Sequence, residues 1–438
     1  MRKPALILAA FTAVVVLASL VEGEQAPRGY VESVSTFVCP AQYRDMNGAI
    51  HFSDSTAKSA IIDGKNRSMK KGASRVVALG KKARVVAGNT ATPIIVASKS
   101  ATWLGLSQCS PSAGEFWFVG GTSDVTSLGY FQFINENLGK AIIDVELWSE
   151  DGSESTRTLT IPGRSMKSFP LTTFMPGKKV TAFHIVSRSG LIRAALFDER
   201  RKGLTNYGGD FVAPAVTPAQ KFVIPGIPGA KIGKKSKVTS QKLRLFVPGE
   251  SDAIIQVTYI SPSGIFAPIG LDSLRIPAQK VVEVDLKSLP KSQLFSIGVS
   301  ASEPVVGAVL TRGRFGNRSE IAWSTSTNVS TGEQIALPEK SGWLSIVTDA
   351  PKVSFTVLGA RGKKSTVTIK VDSMAIWKVP ESARAIQFST RAAKMSLAFA
   401  MLNSSGLATT SLAPALAKEL TALPVVDSGL FVPTAPSS

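Results

Sequence analysis

Histidine, the side chain that most often transfers protons near neutral pH, is scarce in this chain, where only His51 and His184 occur. A zinc site built on histidines needs several such ligands, and neither residue lies in a recognisable Ser-His-Asp motif. The sequence also has no phosphate-binding glycine loop, no dinucleotide fingerprint and no HExxH motif. These residue types argue against nucleotide, zinc and triad chemistry, and we expect a protein without catalytic residues, metal or cofactor.

Carboxylates offer one remaining catalytic chemistry. A glycosidase needs only two acidic side chains about 5–10 Å apart. Five carboxylates are predicted at strand ends: Asp124, Glu136, Asp198, Glu199 and Asp210. Acidic residues at loop ends are common in β-sandwiches, so a cell-wall carbohydrate-active enzyme is the alternative hypothesis.

The segment Glu115–Gly121 contains Trp117 and ends in the pair Gly120-Gly121. Trp117 beside the bare backbone of Gly120 and Gly121 is a candidate sugar-stacking platform, because an aromatic ring presents a flat apolar face. The other interpretation is that Trp117 fills a sandwich core and the glycines form a tight turn.

The charge balance points to an anionic partner. In 438 residues, 50 Lys and Arg stand against 31 Asp and Glu, a net charge of +19. A field of this sign attracts polyanions, although solvated basic loops are the simpler interpretation. The candidate polyanion-binding residues are Lys231, Lys234, Lys235 and Lys237, and two further groups are basic: Lys65, Arg67, Lys70, Lys71, Arg75, Lys81, Lys82 and Arg84, then Arg361, Lys363 and Lys364.

The N-terminus predicts export. Arg2 and Lys3 precede the uncharged run Ala5–Leu20, a pattern typical of a secretory leader. We predict cleavage after Gly23, with an uncleaved membrane anchor as the alternative. Export argues against a nucleic acid partner, and no aromatic-basic nucleic acid motif occurs.

The two cysteines, Cys39 and Cys109, agree with export. An isolated pair in an oxidising compartment is most simply one disulfide. A redox-active thiol is the alternative, but it usually brings a CxxC motif or a basic neighbourhood, and neither surrounds these cysteines.

Apolar residues alternate with period two along most of the chain, which predicts strands with one buried face. From Ala141, for example, Ile143, Val145 and Leu147 face one side while Asp144, Glu146 and Trp148 face the other. The same strand order recurs about 112–115 residues later, as the spacing of Val186 from Val299 illustrates, and a shorter copy begins near Val353. Residues 74–104 contain apolar segments that do not align with these copies.

Short strands separated by turns predict an all-β chain of tandem immunoglobulin-like β-sandwich domains. The expected organisation is a signal peptide or anchor (1–23), an N-terminal β-rich region with the disulfide (24–113), three sandwiches (114–220, 221–338 and 339–412) and a loose C-terminal tail (413–438).

Several segments resemble an actinobacterial family of exported proteins of unknown function. They are Cys109 with Pro111–Gly121, Phe133–Asn137, Gly203–Ala215 and Phe222–Gly226, and the early Cys39-Pro40 also fits. The likeness covers roughly residues 35–320 and is most specific over 109–226. It implies export, β-rich repeats and a cell-envelope role, and it implies no catalytic residue.

Together these features predict an exported, envelope-associated, non-enzymatic protein that binds or scaffolds. The expected partner is an anionic wall polymer or an envelope-assembly protein, with membrane contact through the N-terminal segment if that segment is not cleaved.

Overall fold

The computed structural model describes residues 30–32, 36–53, 59–68, 74–88, 91–99, 102–233, 236–315, 318–327, 334–388, 394–403, 406–412 and 420–422. The predicted leader (1–23), its cleavage point at Gly23, and Lys234 and Lys235 lie outside these residues. The chain forms two compact units, one of residues 35–415 and one of residues 1–34 with 416–438. Within the described part of the chain, no helix combines the length and apolarity needed to cross a bilayer.

In the smaller unit, the described residues form one antiparallel strand pair. β1 (Tyr30–Glu32) pairs with β34 (Leu420–Ala422). The C-terminal segment predicted to be a loose tail therefore contributes at least this short strand.

The larger unit consists of antiparallel strands, and its all-β class is confirmed. The alternation read from the sequence is visible in Ala141–Ser149, where Ala141, Ile143 and Val145 are buried and the residues between them are half-exposed. Each apolar face packs against the facing sheet, which is how a sandwich removes it from water.

Four repeats share one strand order. In each, the first, sixth, third and fourth strands form one sheet, and the fifth, second, seventh and eighth form the other. Repeat 1 (36–108) contains β2 (Thr36–Cys39), β3 (Asn47–Ser53), β4 (Ser59–Ile62), β5 (Lys65–Ser68), β6 (Ser74–Ala78), β7 (Arg84–Ala87), β8 (Ile94–Lys99) and β9 (Trp103–Gln108). This is the region that sequence periodicity did not align.

Repeat 2 has a 3-10 turn at Leu171–Thr173 between its fifth and sixth strands. It spans residues 115–212 and contains β10 (Glu115–Val119), β11 (Tyr130–Asn135), β12 (Ala141–Ser149), β13 (Gly152–Ile161), β14 (Ser165–Pro170), β15 (Thr181–Ser189), β16 (Arg193–Lys202) and β17 (Thr205–Val212).

Repeat 3 fuses its sixth and seventh strands into one 22-residue strand, whose two halves join opposite sheets. Its fourth strand is divided into two three-residue strands, which both pair with the third strand. It spans residues 219–325 and contains β18 (Ala219–Pro228), β19 (Ser236–Phe246), β20 (Ala253–Ser261), β21 (Gly264–Phe266), β22 (Leu274–Ile276), β23 (Val281–Asp285), β24 (Leu294–Phe315) and β25 (Arg318–Thr325).

Repeat 4 has a 3-10 turn at Ala360–Gly362 between its third and fourth strands. It spans residues 334–412 and contains β26 (Gln334–Ala336), β27 (Gly342–Thr348), β28 (Lys352–Gly359), β29 (Lys364–Lys370), β30 (Met374–Val379), β31 (Ala383–Phe388), β32 (Met395–Asn403) and β33 (Gly406–Leu412).

The eighth strands of the four repeats meet and close the larger unit into a ring. β9 contacts β17, β17 contacts β25, β25 contacts β33, and β33 contacts β9. Repeats 1 and 4 are also joined at their edges, where the Thr92 amide donates to the Gln334 carbonyl at 2.9 Å and the Ala336 amide donates to the Thr92 carbonyl at 3.0 Å.

The hydrophobic cores continue from one repeat into the next. Phe246 and Trp323 of repeat 3 belong to the core of repeat 2, and Leu104 and Leu106 of repeat 1 belong to the core of repeat 4. Trp148, which the alternation assigns to the polar face of its strand, is therefore buried: its ring lies 4.7 Å from that of Phe246.

Candidate functional site

Three of the five candidate carboxylates lie inside strands rather than at strand ends, which corrects the expectation from the sequence. Asp198 and Glu199 are in β16 and Asp210 is in β17, and all three are buried. Asp198 accepts hydrogen bonds from the Arg200 guanidinium at 2.7 Å and from the indole Nε1 of Trp323 at 2.9 Å. Asp198 therefore neutralises a buried arginine and joins repeat 2 to repeat 3.

Asp210 binds backbone amides where repeats meet. Its Oδ2 accepts from the Trp323 amide at 2.9 Å, and its Oδ1 accepts from the amides of Phe211 at 2.9 Å and Leu106 at 3.3 Å. Burial raises the pKa of Asp210 well above its usual range, against the lowering effect of these amides.

Glu320, which sequence reasoning missed, has the same role on β25. It accepts from the amides of Leu104 at 3.1 Å, Gly209 at 3.0 Å and Ile321 at 3.1 Å. Burial raises its pKa as well. No motif marks this glutamate, because the partners that join it to other repeats, Leu104 and Gly209, are backbone groups far away in the sequence.

The remaining candidate carboxylates, Asp124, Glu136 and Glu199, also form hydrogen bonds with other side chains or amides of the protein. Asp124 accepts from the amide of Thr126 within its own turn at 2.8 Å. Glu136 accepts from the Ser112 hydroxyl at 2.9 Å, and burial raises its pKa. Lys99 donates to Glu199 at 2.9 Å. The structure brings Asp198 and Asp210 together at Trp323, and their positions are internal.

Trp117 is buried, with 6% of its surface exposed, so its face is not an open sugar platform. The imidazole of His184 stacks on the indole with ring centroids 3.9 Å apart. The Gly121 carbonyl accepts from Arg244 of repeat 3 at 2.7 Å, and a Cβ at Gly120 would lie 2.7 Å from Val212. Trp117 and Gly121 therefore contact repeat 3, whereas Gly120 has no room for a side chain because Val212 of its own repeat lies beside it.

His184 lies between two carboxylates on the outer side of that junction. Its Nδ1 is 2.8 Å from Glu146 and its Nε2 is 2.9 Å from Glu115, which also accepts from the Trp117 indole at 2.9 Å. The described residues contain no group of three or more His, Cys, Asp or Glu side chains arranged to hold a metal ion.

The disulfide between Cys39 and Cys109 is confirmed. Cys39 ends β2, and Cys109 follows β9, so the bond joins the first strand of repeat 1 to the residue after its last strand. Both cysteines are fully buried.

The predicted basic loop lies at one end of repeat 3, where other cations converge. Pro228 pairs with Leu294, so the β18–β19 and β23–β24 loops share that end, and the Lys231 amide donates to the Ser292 carbonyl at 3.0 Å. Lys237 pairs directly with Arg314 across β19 and β24. Five exposed side chains belong to this set, which we call the basic end: Lys231, Lys237, Lys287, Lys291 and Arg314.

None of the five cations of the basic end forms a salt bridge with another described residue. Some cations elsewhere do form salt bridges: Arg84 binds Asp63, and Lys178 binds Asp151 and Glu154. Sequence reasoning found Lys231 and Lys237 but missed the other three, because only the pairing of β18, β19 and β24 brings them there.

The remaining basic groups are distributed over other repeats. Lys65, Arg67, Lys81 and Lys82 are exposed in repeat 1, and Arg361, Lys363 and Lys364 are exposed in repeat 4. Arg75 donates to the Ser68 carbonyl at 2.7 Å. Lys70 and Lys71 lie outside the described residues.

The fold defines the class of protein: a tandem β-sandwich protein with four repeats in a closed ring. More specifically, a family of unknown function, DUF5719, matches residues 68–380, and the chain belongs to this family. No curated relative matches the chain. A crystal structure of a tetra-tandem repeat in the extending region of a large adhesion protein aligns over 87% of this chain and 99% of that chain, with 10% identity and a TM-score of 0.11, too low to support an argument.

Proposed function

We propose that this protein is an exported, non-enzymatic scaffold of an actinobacterial cell envelope that binds an anionic wall polymer through the basic end. The observation that carries the proposal is the convergence, at one end of repeat 3, of five exposed cations that form no salt bridge with a described residue. Unpaired exposed charges retain their field for a ligand, whereas paired ones largely cancel.

The placement outside the cytoplasm has separate support. The buried disulfide is typical of proteins that fold in an oxidising compartment. The basic-then-apolar N-terminus and the resemblance to exported actinobacterial proteins agree with it.

Binding is favoured over the alternative, carbohydrate hydrolysis by a carboxylate pair. A general acid and its partner must both reach the scissile bond. Asp198 and Asp210 instead bind an arginine, an indole and backbone amides inside the ring.

Cosedimentation of the purified protein with isolated actinobacterial cell walls, at increasing salt, tests the proposal. We expect retention at low salt that falls steadily with ionic strength and disappears from walls stripped of anionic polymers. The triple variant Lys237→Gln, Lys291→Gln and Arg314→Gln should bind at least about tenfold more weakly.

The matched control is the triple variant Lys140→Gln, Arg164→Gln and Lys352→Gln, which removes three exposed cations outside the basic end. It should bind like the unmodified protein. Equal losses in the two triple variants would mean that net charge, not the basic end, binds the wall, and no retention at low salt would refute wall binding.

A further inference from the structure

Three large apolar side chains stand in solvent on the edge of repeat 3. Ile265 is 59% exposed and Phe266 is 41% exposed, both in β21, and Ile269 in the following loop is 103% exposed. Folded proteins usually scatter such residues singly, so three within five positions call for a functional explanation.

This apolar loop, residues 265–269, adjoins the basic end. Ile265 pairs with Ile260, and Ile260 pairs in turn with Ser296, two residues after the start of β24. The ring of Phe266 lies 5.4 Å from that of Tyr259, whose hydroxyl donates to the Lys287 carbonyl at 3.0 Å. These contacts connect the apolar loop to the backbone of Lys287, one of the five residues of the basic end.

We infer that the apolar loop and the basic end together form a docking surface for an anionic lipid bilayer. A soluble polyanion would use the cations and leave Ile265 and Ile269 in water. A bilayer surface would contact both the cations and the apolar side chains. Lysines bind anionic headgroups, and apolar side chains enter the boundary between headgroups and acyl chains.

Charge and apolar contact reinforce one another at such a surface. Either signal alone gives only weak, reversible membrane attachment, and the two together give stable attachment. The surface would thus hold repeat 3 against the membrane independently of the N-terminal segment. This inference rests on the proposed function, since the basic end supplies its electrostatic part.

Vesicle cosedimentation tests the inference, with phosphatidylcholine vesicles that either contain or lack phosphatidylglycerol. We expect binding only to the anionic vesicles. The double variant Ile265→Ser and Ile269→Ser should weaken that binding by about tenfold or more, while leaving binding to soluble polyphosphate unchanged. The control Leu138→Ser and Leu191→Ser alters two residues that are 78% and 50% exposed in repeat 2, and it should bind like the unmodified protein.

The possible failures are distinguishable. Binding to polyphosphate without binding to anionic vesicles would overturn the membrane inference and leave polyanion binding intact. Equal vesicle binding by the double variant and the unmodified protein would also overturn it. Absence of salt-dependent binding to vesicles, polyphosphate and walls would refute the proposed function as well.

Discussion

The carboxylate of Asp210 in repeat 2 accepts a hydrogen bond of 2.9 Å from the backbone amide of Trp323 in repeat 3. With its bond from Leu106 of repeat 1, Asp210 connects the eighth strands of three repeats. Asp210, like Glu320, thus joins eighth strands of different repeats through hydrogen bonds from backbone amides to a carboxylate.

Replacing Asp210 with alanine should strongly destabilise the ring. The amides of Leu106, Phe211 and Trp323 would lose their acceptor in a buried environment, where each unsatisfied donor costs about 1–3 kcal/mol. We expect a loss of about 3 kcal/mol or more in the free energy of unfolding, measured by urea denaturation. Asp210→Asn keeps one acceptor oxygen and should lose less, and Asp285→Ala, at an exposed carboxylate, serves as control. A midpoint for Asp210→Ala equal to that of the control would contradict this role.

Protonation of the buried His51 should lower the free energy of unfolding in acid. Burial lowers its pKa from 6.5 to about 4, and Glu339, Arg384 and Lys340 of repeat 4 also act on it. Because the folded pKa lies below the unfolded one, the fold favours the neutral imidazole. That contribution is fully present above pH 6.5 and is lost as the pH falls from 6.5 towards 4, by about 3 kcal/mol in total.

The comparison of His51→Leu with the unmodified protein isolates this effect. The raised pKa values of Asp210 and Glu320 act in the opposite direction, because their protonated forms favour the fold, but they are common to both proteins. Urea denaturation at pH 7 and at pH 4.5 should therefore show a smaller acid-induced loss in His51→Leu. An identical loss in both proteins would exclude His51 as its cause.

Sequence patterns predicted the strands and the repeat well where strands are long. Val186 and Val299, spaced like the copies in the sequence, both lie in sixth strands, and Ala195 and Ala308 both lie in seventh strands. Repeat 1 was missed because four of its strands, from β4 to β7, have only four or five residues, too few for a period of two to be recognised.

The ring itself was not predictable from periodicity. The alternation of apolar residues shows only which face of a strand packs inside its own sandwich. Trp148 was therefore assigned to the solvent-exposed face, although repeat 3 covers it. The roles of Asp210 and Glu320 could not be predicted from the sequence either. A carboxylate that binds the backbone of another repeat has no partner residue at a recognisable spacing in the sequence. The sequence predicted only part of the basic end. Lys231 and Lys237 are close in sequence and were recognised, whereas Arg314 is brought beside them by strand pairing.

Gly208 should be intolerant of any side chain. It lies at φ +99°, and a Cβ there would lie 2.3 Å from Glu320 Oε1 and 2.5 Å from the Ile321 amide nitrogen, across the contact between repeats 2 and 3. Gly203 is the matched control: it has φ +58° with nothing within 4 Å of its Cβ position. Both alanine variants carry backbone strain, and Gly208→Ala adds overpacking, which costs about 1–3 kcal/mol more. Equal denaturation midpoints for the two variants would show that repeats 2 and 3 can move apart at Gly208 with no loss in the free energy of unfolding.

Loss of the disulfide should loosen repeat 1 and its place in the ring. The bond spans 70 residues, for which the loop-entropy model gives about 4 kcal/mol as an upper figure. It holds the strand end at Val38, whose amide donates to the Ser110 carbonyl at 2.9 Å, beside the end of β9, which contacts repeats 2 and 4. The double variant Cys39→Ala and Cys109→Ala should therefore unfold at lower urea, and reducing agent should lower the midpoint of the unmodified protein by a similar amount. Reducing agent should not change the double variant, and a double variant as stable as the unmodified protein would show that strand packing alone holds repeat 1.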